Sequence, residues 1–139
     1  MEHVEYIYTF GMDESELDEL LRVHDVGVLS LADGDDAYAV PVSYDYDGDS
    51  LVLRLGQHED STKMEFLEAT ETATFVVHES GDGSWSILAR GPLRERTDFD
   101  ETRINQRFSK FRLFREPVED VQATVYELEI EELTGRRAD

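Results

Sequence analysis

Short runs rich in Val, Leu, Ile and Tyr, separated by Asp-Gly and Gly-Asp-Gly turns, constrain this chain more than any other feature. Asp-Gly is a hairpin dipeptide, because glycine takes positive φ without steric cost. Asp33-Gly34 separates Val26–Leu31 from Ala37–Tyr46, and Asp47-Gly48 separates that run from Leu51–Leu55. Gly81-Asp82-Gly83 separates Thr72–His78 from Ser84–Arg96. A last run, Ala123–Leu133, sets Val125, Leu128 and Ile130 among Glu127, Glu129 and Glu131. Strands at this spacing predict a mainly β domain, a small barrel or a sandwich. Tyr6–Phe10 is a further, short extended candidate.

Helices interrupt the strands at three places. Asp13 and Glu16 have capping-box spacing ahead of Leu17, Leu20 and Leu21, which predicts a helix over Asp13–Val23. Thr62 and Glu65 repeat the box ahead of Met64 and Leu67, over Thr62–Ala69. Asp98 and Glu101 open a third, over Asp98–Arg115, with Ile104, Phe108 and Phe111 on one face and Pro117 as its stop. No repeat, linker or low-complexity stretch divides the 139 residues, so residues 1–139 read as one domain.

Charge narrows the partners. Asp+Glu total 33 against Lys+Arg 13, a formal net charge of -20. Such a surface repels nucleic-acid backbones and anionic membranes alike. Lys63 and Lys110 are the only lysines. Acid excess with scarce lysine is the composition of a protein from a high-salt cytoplasm, where screening shortens self-repulsion. Hydrophobic residues at 40% still suffice for a packed core, which argues against acid-driven disorder. There is no cysteine, so disulfides and thiolate chemistry are excluded. No apolar run reaches the ~18 residues of a membrane span, and no signal pattern opens the chain. A cytoplasmic protein is expected.

Four groups of residues bear on chemistry. Ser61-Thr62-Lys63 opens a helix after a strand, where hydroxyls, backbone N–H groups and an ammonium suit an anion. Glu59 and Asp60 stand beside it, and an ordinary capped helix has the same signature. Arg54 on the preceding strand is a second cation. Pro41, within Tyr38–Tyr44, leaves main-chain groups without ladder partners. Those groups suit the polar rim of a planar heterocycle, or else mark a protected edge strand. Trp85, the only tryptophan, precedes Ser86 and fits either core packing or stacking on a ligand ring. Arg103, Arg107 and Lys110 share a helical face near Arg112 and Arg115, which suits ion pairing within the chain or an anionic partner. His3, His24, His58 and His78 lack metal-ligand spacing, so no metal is expected. No phosphate-binding Gly-rich loop, nucleophile elbow or dinucleotide fingerprint occurs.

The order of these pieces resembles a known family. Val26-Gly27-Val28-Leu29-Ser30-Leu31-Ala32-Asp33, Tyr38-Ala39-Val40-Pro41-Val42-Ser43-Tyr44 and Leu51-Val52-Leu53-Arg54-Leu55 come first. Ser61-Thr62-Lys63, Ala73-Thr74-Phe75-Val76-Val77 and Trp85-Ser86-Ile87-Leu88-Ala89-Arg90-Gly91 follow. Together they resemble the pyridoxamine 5′-phosphate oxidase-like superfamily of split-barrel flavoproteins, and within it the small nitroimidazole-resistance-type members. The resemblance implies a six-stranded split β-barrel with helices, a homodimer, and FMN in two clefts at the dimer interface. It implies that the strand holding Val40, Pro41, Val42 and Ser43 meets the isoalloxazine through its backbone. Arg54 and Leu55 match the strand lining the ribityl chain, and Ser61, Thr62 and Lys63 match the phosphate turn. Trp85 and Ser86 match a strand that approaches the flavin from the partner subunit. The family often has basic residues where Val28 and Thr62 stand, and nitroimidazole-type members often have His where Arg54 stands.

The reading that follows is an FMN-binding protein, a flavin-dependent oxidoreductase acting on a small molecule. No side chain stands out as an acid or base, and none matches a pyridoxine phosphate site. Two rivals remain at this level: the same barrel using deazaflavin or haem, and a non-catalytic binding module.

Overall fold

The computed structural model describes residues 9–57, 62–81, 83–98 and 122–138. The expected helix over Asp98–Arg115 lies almost wholly outside them, as do Ser61, His3, His58 and the basic residues of that helix. Along the described chain run β1 (Thr9–Gly11), α1 (Glu14–Val23), β2 (Val26–Asp33), β3 (Asp36–Tyr46) and β4 (Ser50–Gln57). Then come α2 (Thr62–Ala69), β5 (Ala73–Glu79), β6 (Trp85–Gly91), β7 (Leu93–Arg96), β8 (Gln122–Glu129) and β9 (Glu132–Ala138). All paired strands are antiparallel, in the order β1-β9-β6-β5-β2-β3-β4-β8-β7.

The turns do what their dipeptides dictate. Gly34 (φ 59) closes the β2–β3 hairpin and Gly48 (φ 104) the β3–β4 hairpin. At the second turn Asp47 Oδ1 accepts from the N–H groups of Asp49 and Ser50, the short-range bond that makes Asp a turn residue. Asp13 caps α1 by accepting from Glu16 N–H at 2.9 Å. The α2 range is the expected one, with Thr62 as its first residue.

The described residues form nine strands where six runs are expected. Thr9–Gly11 pairs with β9 and adds one. Ser84–Arg96 breaks at Gly91-Pro92, and the last run breaks at Ile130-Glu131 and continues to Ala138. The two breaks face each other. Trp85–Arg90 pair with Arg137–Glu132, and Leu93–Arg96 with Leu128–Val125. Gly91 and Pro92 therefore lie opposite Glu129, Ile130 and Glu131, one residue more on that side. This is a β-bulge, which bends both runs. Glu131 N–H donates to Arg90 O at 2.9 Å and Glu129 N–H to Pro92 O at 3.1 Å, so the bend keeps its main-chain bonds.

One face of the sheet forms the core. Leu29, Leu31, Val42, Tyr44, Leu51, Leu53, Leu55, Phe75, Val77 and Ile87 meet there, and Leu17, Leu21, Phe66 and Leu67 of the helices cover them. Tyr44 packs edge-on against Phe75 and donates its phenol to Leu21 O at 2.8 Å. That bond ties α1 to the sheet. Burial, with the Asp25 charge as a smaller cause, pushes the Tyr44 phenol well above its ordinary value. A raised folded-state pKa means stability is complete below the unfolded value of ~10 and falls as pH rises past it. The melting temperature should drop above about pH 10, and less so in Tyr44→Phe. At neutral pH Tyr44→Phe should cost about 1–2 kcal/mol, because the Leu21 carbonyl loses its donor. A flat melting profile across that pH range would contradict this.

The net charge of -20 makes a second expectation. The screening length falls from ~10 Å at 0.1 M salt to ~3 Å at 1 M. Self-repulsion should therefore weaken the fold in dilute buffer, and the melting temperature should rise with sodium chloride. An unchanged value in both would show that repulsion is unimportant.

Candidate functional site

The strongest candidate is a fork between β3 and β4. The two strands pair from Tyr46↔Leu51 to Ser43↔Arg54 and no further. Beyond that point β3 continues beside β2, while β4 continues beside β8 to Gln57↔Gln122. Among the described residues no strand pairs with the β4-facing edge of β3 from Asp36 to Val42.

Pro41 explains why the fork is tolerated there. Tyr44 N–H donates across to Asp25 O, toward the β2 side. Donors alternate along a strand. The missing N–H of Pro41 thus falls on the open edge, where no ladder bond is lost. Its exposed ring pairs with Val28 on β2. Val40 and Val42 turn their side chains toward the core and, by the same alternation, their main-chain groups toward β2, so the groups on the open edge are those of Ala37 and Ala39 and the Pro41 carbonyl. The backbone contact that the edge offers therefore comes from Pro41 and its odd-numbered neighbours rather than from Val40 or Val42.

Arg54 stands at the apex, opposite Ser43 on one side and Val125 on the other. It is 7% exposed and donates from Nη2 to Ser43 Oγ at 3.3 Å. Burial lowers its pKa. Leu55, next along, faces the opposite way into the core. The leucines Leu51, Leu53 and Leu55 alternate with Val52 and Arg54, and all five are buried. The strand is thus covered on both faces. Thr62 is exposed and Lys63 half-buried at the start of α2. The helix is anchored at its other end, where Thr70 Oγ1 accepts from Ala32 N–H at 3.0 Å, and Phe66 stacks on Tyr38.

Trp85 and Ser86 are not at the fork of their own chain. Strands β5 and β2 stand between β6 and β3. Trp85 packs against the core margin with its ring centroid 5.0 Å from that of His24. Ser86 points the other way and is exposed. A concavity of about 650 Å³ lies beside Pro92 and Leu93 and includes Asp47, Asp49, Arg94, Glu127 and Glu129. Its carboxylates disfavour a phosphate, and Arg94 there is already paired with Glu127 at 3.2 Å. Among the described residues no group of three or more His, Asp or Glu side chains is placed to hold a metal, and no helix is long and apolar enough to cross a membrane.

Sequence reading missed the fork itself. Pro41 signalled an edge, but the end of the β3–β4 ladder at Ser43↔Arg54 depends on β8 pairing with β4, a contact between distant segments.

No curated protein matches the chain. Solved structures share its fold at low identity. A FAD-binding protein from Mesorhizobium loti matches with a TM-score of 0.71 at 19% identity, over 96% of this chain and 99% of that one. A candidate 5-nitroimidazole antibiotic resistance protein from Bacteroides thetaiotaomicron matches at 0.69 and 21% identity, over 100% and 98%. A FAD and heme binding protein from Mycobacterium smegmatis matches at 0.61 and 17%, over 91% of this chain and 72% of that one. The family model described as pyridoxamine 5′-phosphate oxidase matches residues 13–137, nearly the whole of the bent sheet and both helices, and the chain therefore belongs to the pyridoxamine 5′-phosphate oxidase family.

Proposed function

We propose that this protein binds FMN at the β3–β4 fork, as a homodimer, and serves as a flavin-dependent oxidoreductase on a small molecule. The observation that carries the reading is the open main-chain edge of β3 ending at a buried arginine. A planar heterocycle with a polar rim needs such an edge, and an anionic chain needs such a cation. Family membership supports a flavin in general. In this reading the Val40–Ser43 strand orients the ring through its open edge at Pro41, Arg54 and the main chain at Leu55 flank the ribityl chain, and Ser61, Thr62 and Lys63 hold the phosphate. Bound flavin supplies hydride and electron transfer, and the protein supplies position and electrostatics. The bulged β6–β7 and β8–β9 runs would curl the sheet toward a split barrel of six long chain runs.

The dimer reading rests on an outward row. Val28, Val76 and Leu88 stand directly opposite one another across β2, β5 and β6, with Pro41 beside Val28. Leu88 is 41% exposed. Polar residues flank the row, as expected of an interface with an apolar middle and a polar rim. In a dimer, Trp85 and Ser86 would reach the partner's flavin.

An absorbance spectrum of protein purified in molar salt tests cofactor and identity together. A flavin spectrum is expected, with FMN the species released on denaturation. Released FAD, a deazaflavin spectrum or a haem band would each replace FMN. The heme-binding relative gives the last of these an observation in its favour. Protein that is colourless, and stays so after incubation with FMN, would leave the non-catalytic module as the reading.

A further inference from the structure

Helix α2 joins two strands that the sheet keeps apart. It follows β4 and precedes β5, and β3 and β2 stand between them. The connection therefore crosses the β2–β3 hairpin, from the fork side of β3 to the β5 side of β2. Two contacts fix the crossing. Ser30↔Thr74 is the last β2–β5 pair, and two residues further along β2 the Ala32 N–H donates to Thr70 Oγ1 at 3.0 Å. One helical turn back, Phe66 stacks on Tyr38 of β3, with ring centroids 5.3 Å apart. One turn further back is Thr62, the first residue of α2.

Thr62, Phe66 and Thr70 are four residues apart, so they share one side of the helix at steps of about 6 Å along its axis. Strands are spaced ~4.8 Å apart. Such steps carry the helix from the β5 side of β2, past β3, to the open edge of β3. Its eight residues span about 12 Å, against ~14 Å from β5 to β4. The first turn, with Thr62 and Lys63, comes to the fork because the other end is fixed at Ala32. That fixing centres on one hydroxyl. Thr70 Oγ1 accepts from Ala32 N–H and lies 2.6 Å from Phe66 O, to which it donates. Phe66 and Leu67 are buried in the core, but apolar burial is non-directional and leaves a helix free to slide along its axis. A directional bond at one end sets the position.

We propose that Thr70 is a positioning residue for the phosphate end of the flavin. It stands two turns of helix from the phosphate turn and acts through α2. Its hydroxyl sets where α2 lies along its axis, and so how far Thr62 and Lys63 stand from the β3 edge. The inference rests on the flavin reading above and adds a residue that neither the sequence nor the fork itself points to. Coupling of this kind is reciprocal. A phosphate held by the first turn must in return steady the Thr70–Ala32 bond at the last.

FMN and riboflavin are the probes, each titrated against flavin-free full-length protein in molar salt. They share ring and ribityl chain and differ in the phosphate alone. Wild type should bind FMN more tightly. Thr70→Val should lower FMN affinity at least about fivefold and leave riboflavin affinity within about twofold. Thr70→Ser, which keeps the hydroxyl, should restore FMN binding. A purely structural role would weaken both flavins alike. A second readout needs no variant and decides the matter if Thr70→Val does not fold: in wild type, hydrogen exchange at the Ala32 amide should be slower with saturating FMN than with saturating riboflavin. Equal losses for the two flavins in Thr70→Val, FMN affinity unchanged there, or equal protection of Ala32, would each overturn the proposal and leave the flavin reading intact. Equal affinity of wild type for both flavins would remove the phosphate from α2, and the proposal with it. Wild type that binds neither would end the flavin reading itself, and the proposal falls with it.

Discussion

Replacing Gly91 with alanine is expected to destabilise the protein by about 3 kcal/mol or more, a drop of roughly 10 °C in melting temperature. A Cβ at this position would overlap the Glu129 carbonyl oxygen and crowd the Glu131 nitrogen. Both are backbone atoms, so no side-chain rotation relieves the clash. They also belong to the segment whose N–H groups bond Pro92 O and Arg90 O across the bulge. The substitution must separate the two bent runs or straighten them. Gly11→Ala serves as the control, since nothing lies within 4 Å of its added carbon and its φ lies outside the left-handed region. It should change stability by less than about 0.5 kcal/mol. Equal melting temperatures for the two variants would mean that the bend does not depend on this close approach. Gly27→Ala should fall between them, because its clash is partly with the Phe75 ring.

Arg54→Met is expected to lower flavin affinity at least tenfold, about 1.4 kcal/mol, in a protein that still folds. Methionine keeps the stem that fills space between Ser43 and Val125 and removes the guanidinium. Titration of FMN against wild type and variant, in molar salt, measures the difference. Lys63→Ala should also weaken binding, but less, because Lys63 is only half-buried and solvent screens it more. If wild type, Arg54→Met and Lys63→Ala all bind FMN equally and weakly, the fork is not a flavin site. The non-catalytic reading then takes its place.

Much of the architecture is legible in the sequence. The Asp-Gly turns placed two hairpins, because a positive φ at Gly34 and Gly48 is a local property of the residue. The α1 cap was legible for the same reason: Asp13 and Glu16 are three residues apart and bond directly. Strand number was not legible. The break at Pro92 carried a local signal, but the break at Ile130 exists because Gly91 admits Glu129 against its backbone from 38 residues away in sequence. Pairing distances of that kind leave no local trace.

The candidate site divides along the same line. Residue chemistry singled out Pro41, Arg54 and Lys63 in sequence. A family resemblance, not local chemistry, linked Trp85 and Ser86 to the flavin of a partner subunit, and within one chain two strands stand between β6 and the fork.

What the sequence by itself determined is everything set within a few residues: turns, caps, the two described helices, the alternation of core and surface, and an acidic exterior. Only the tertiary structure decided where β3 and β4 part, that Arg54 is buried at that point, and that Gly91 meets Glu129 across the bend. The physical reason is register. Local preferences set the form of each strand, but which residues face one another is chosen by the packing of the whole core, and a shift of one residue would exchange the two faces.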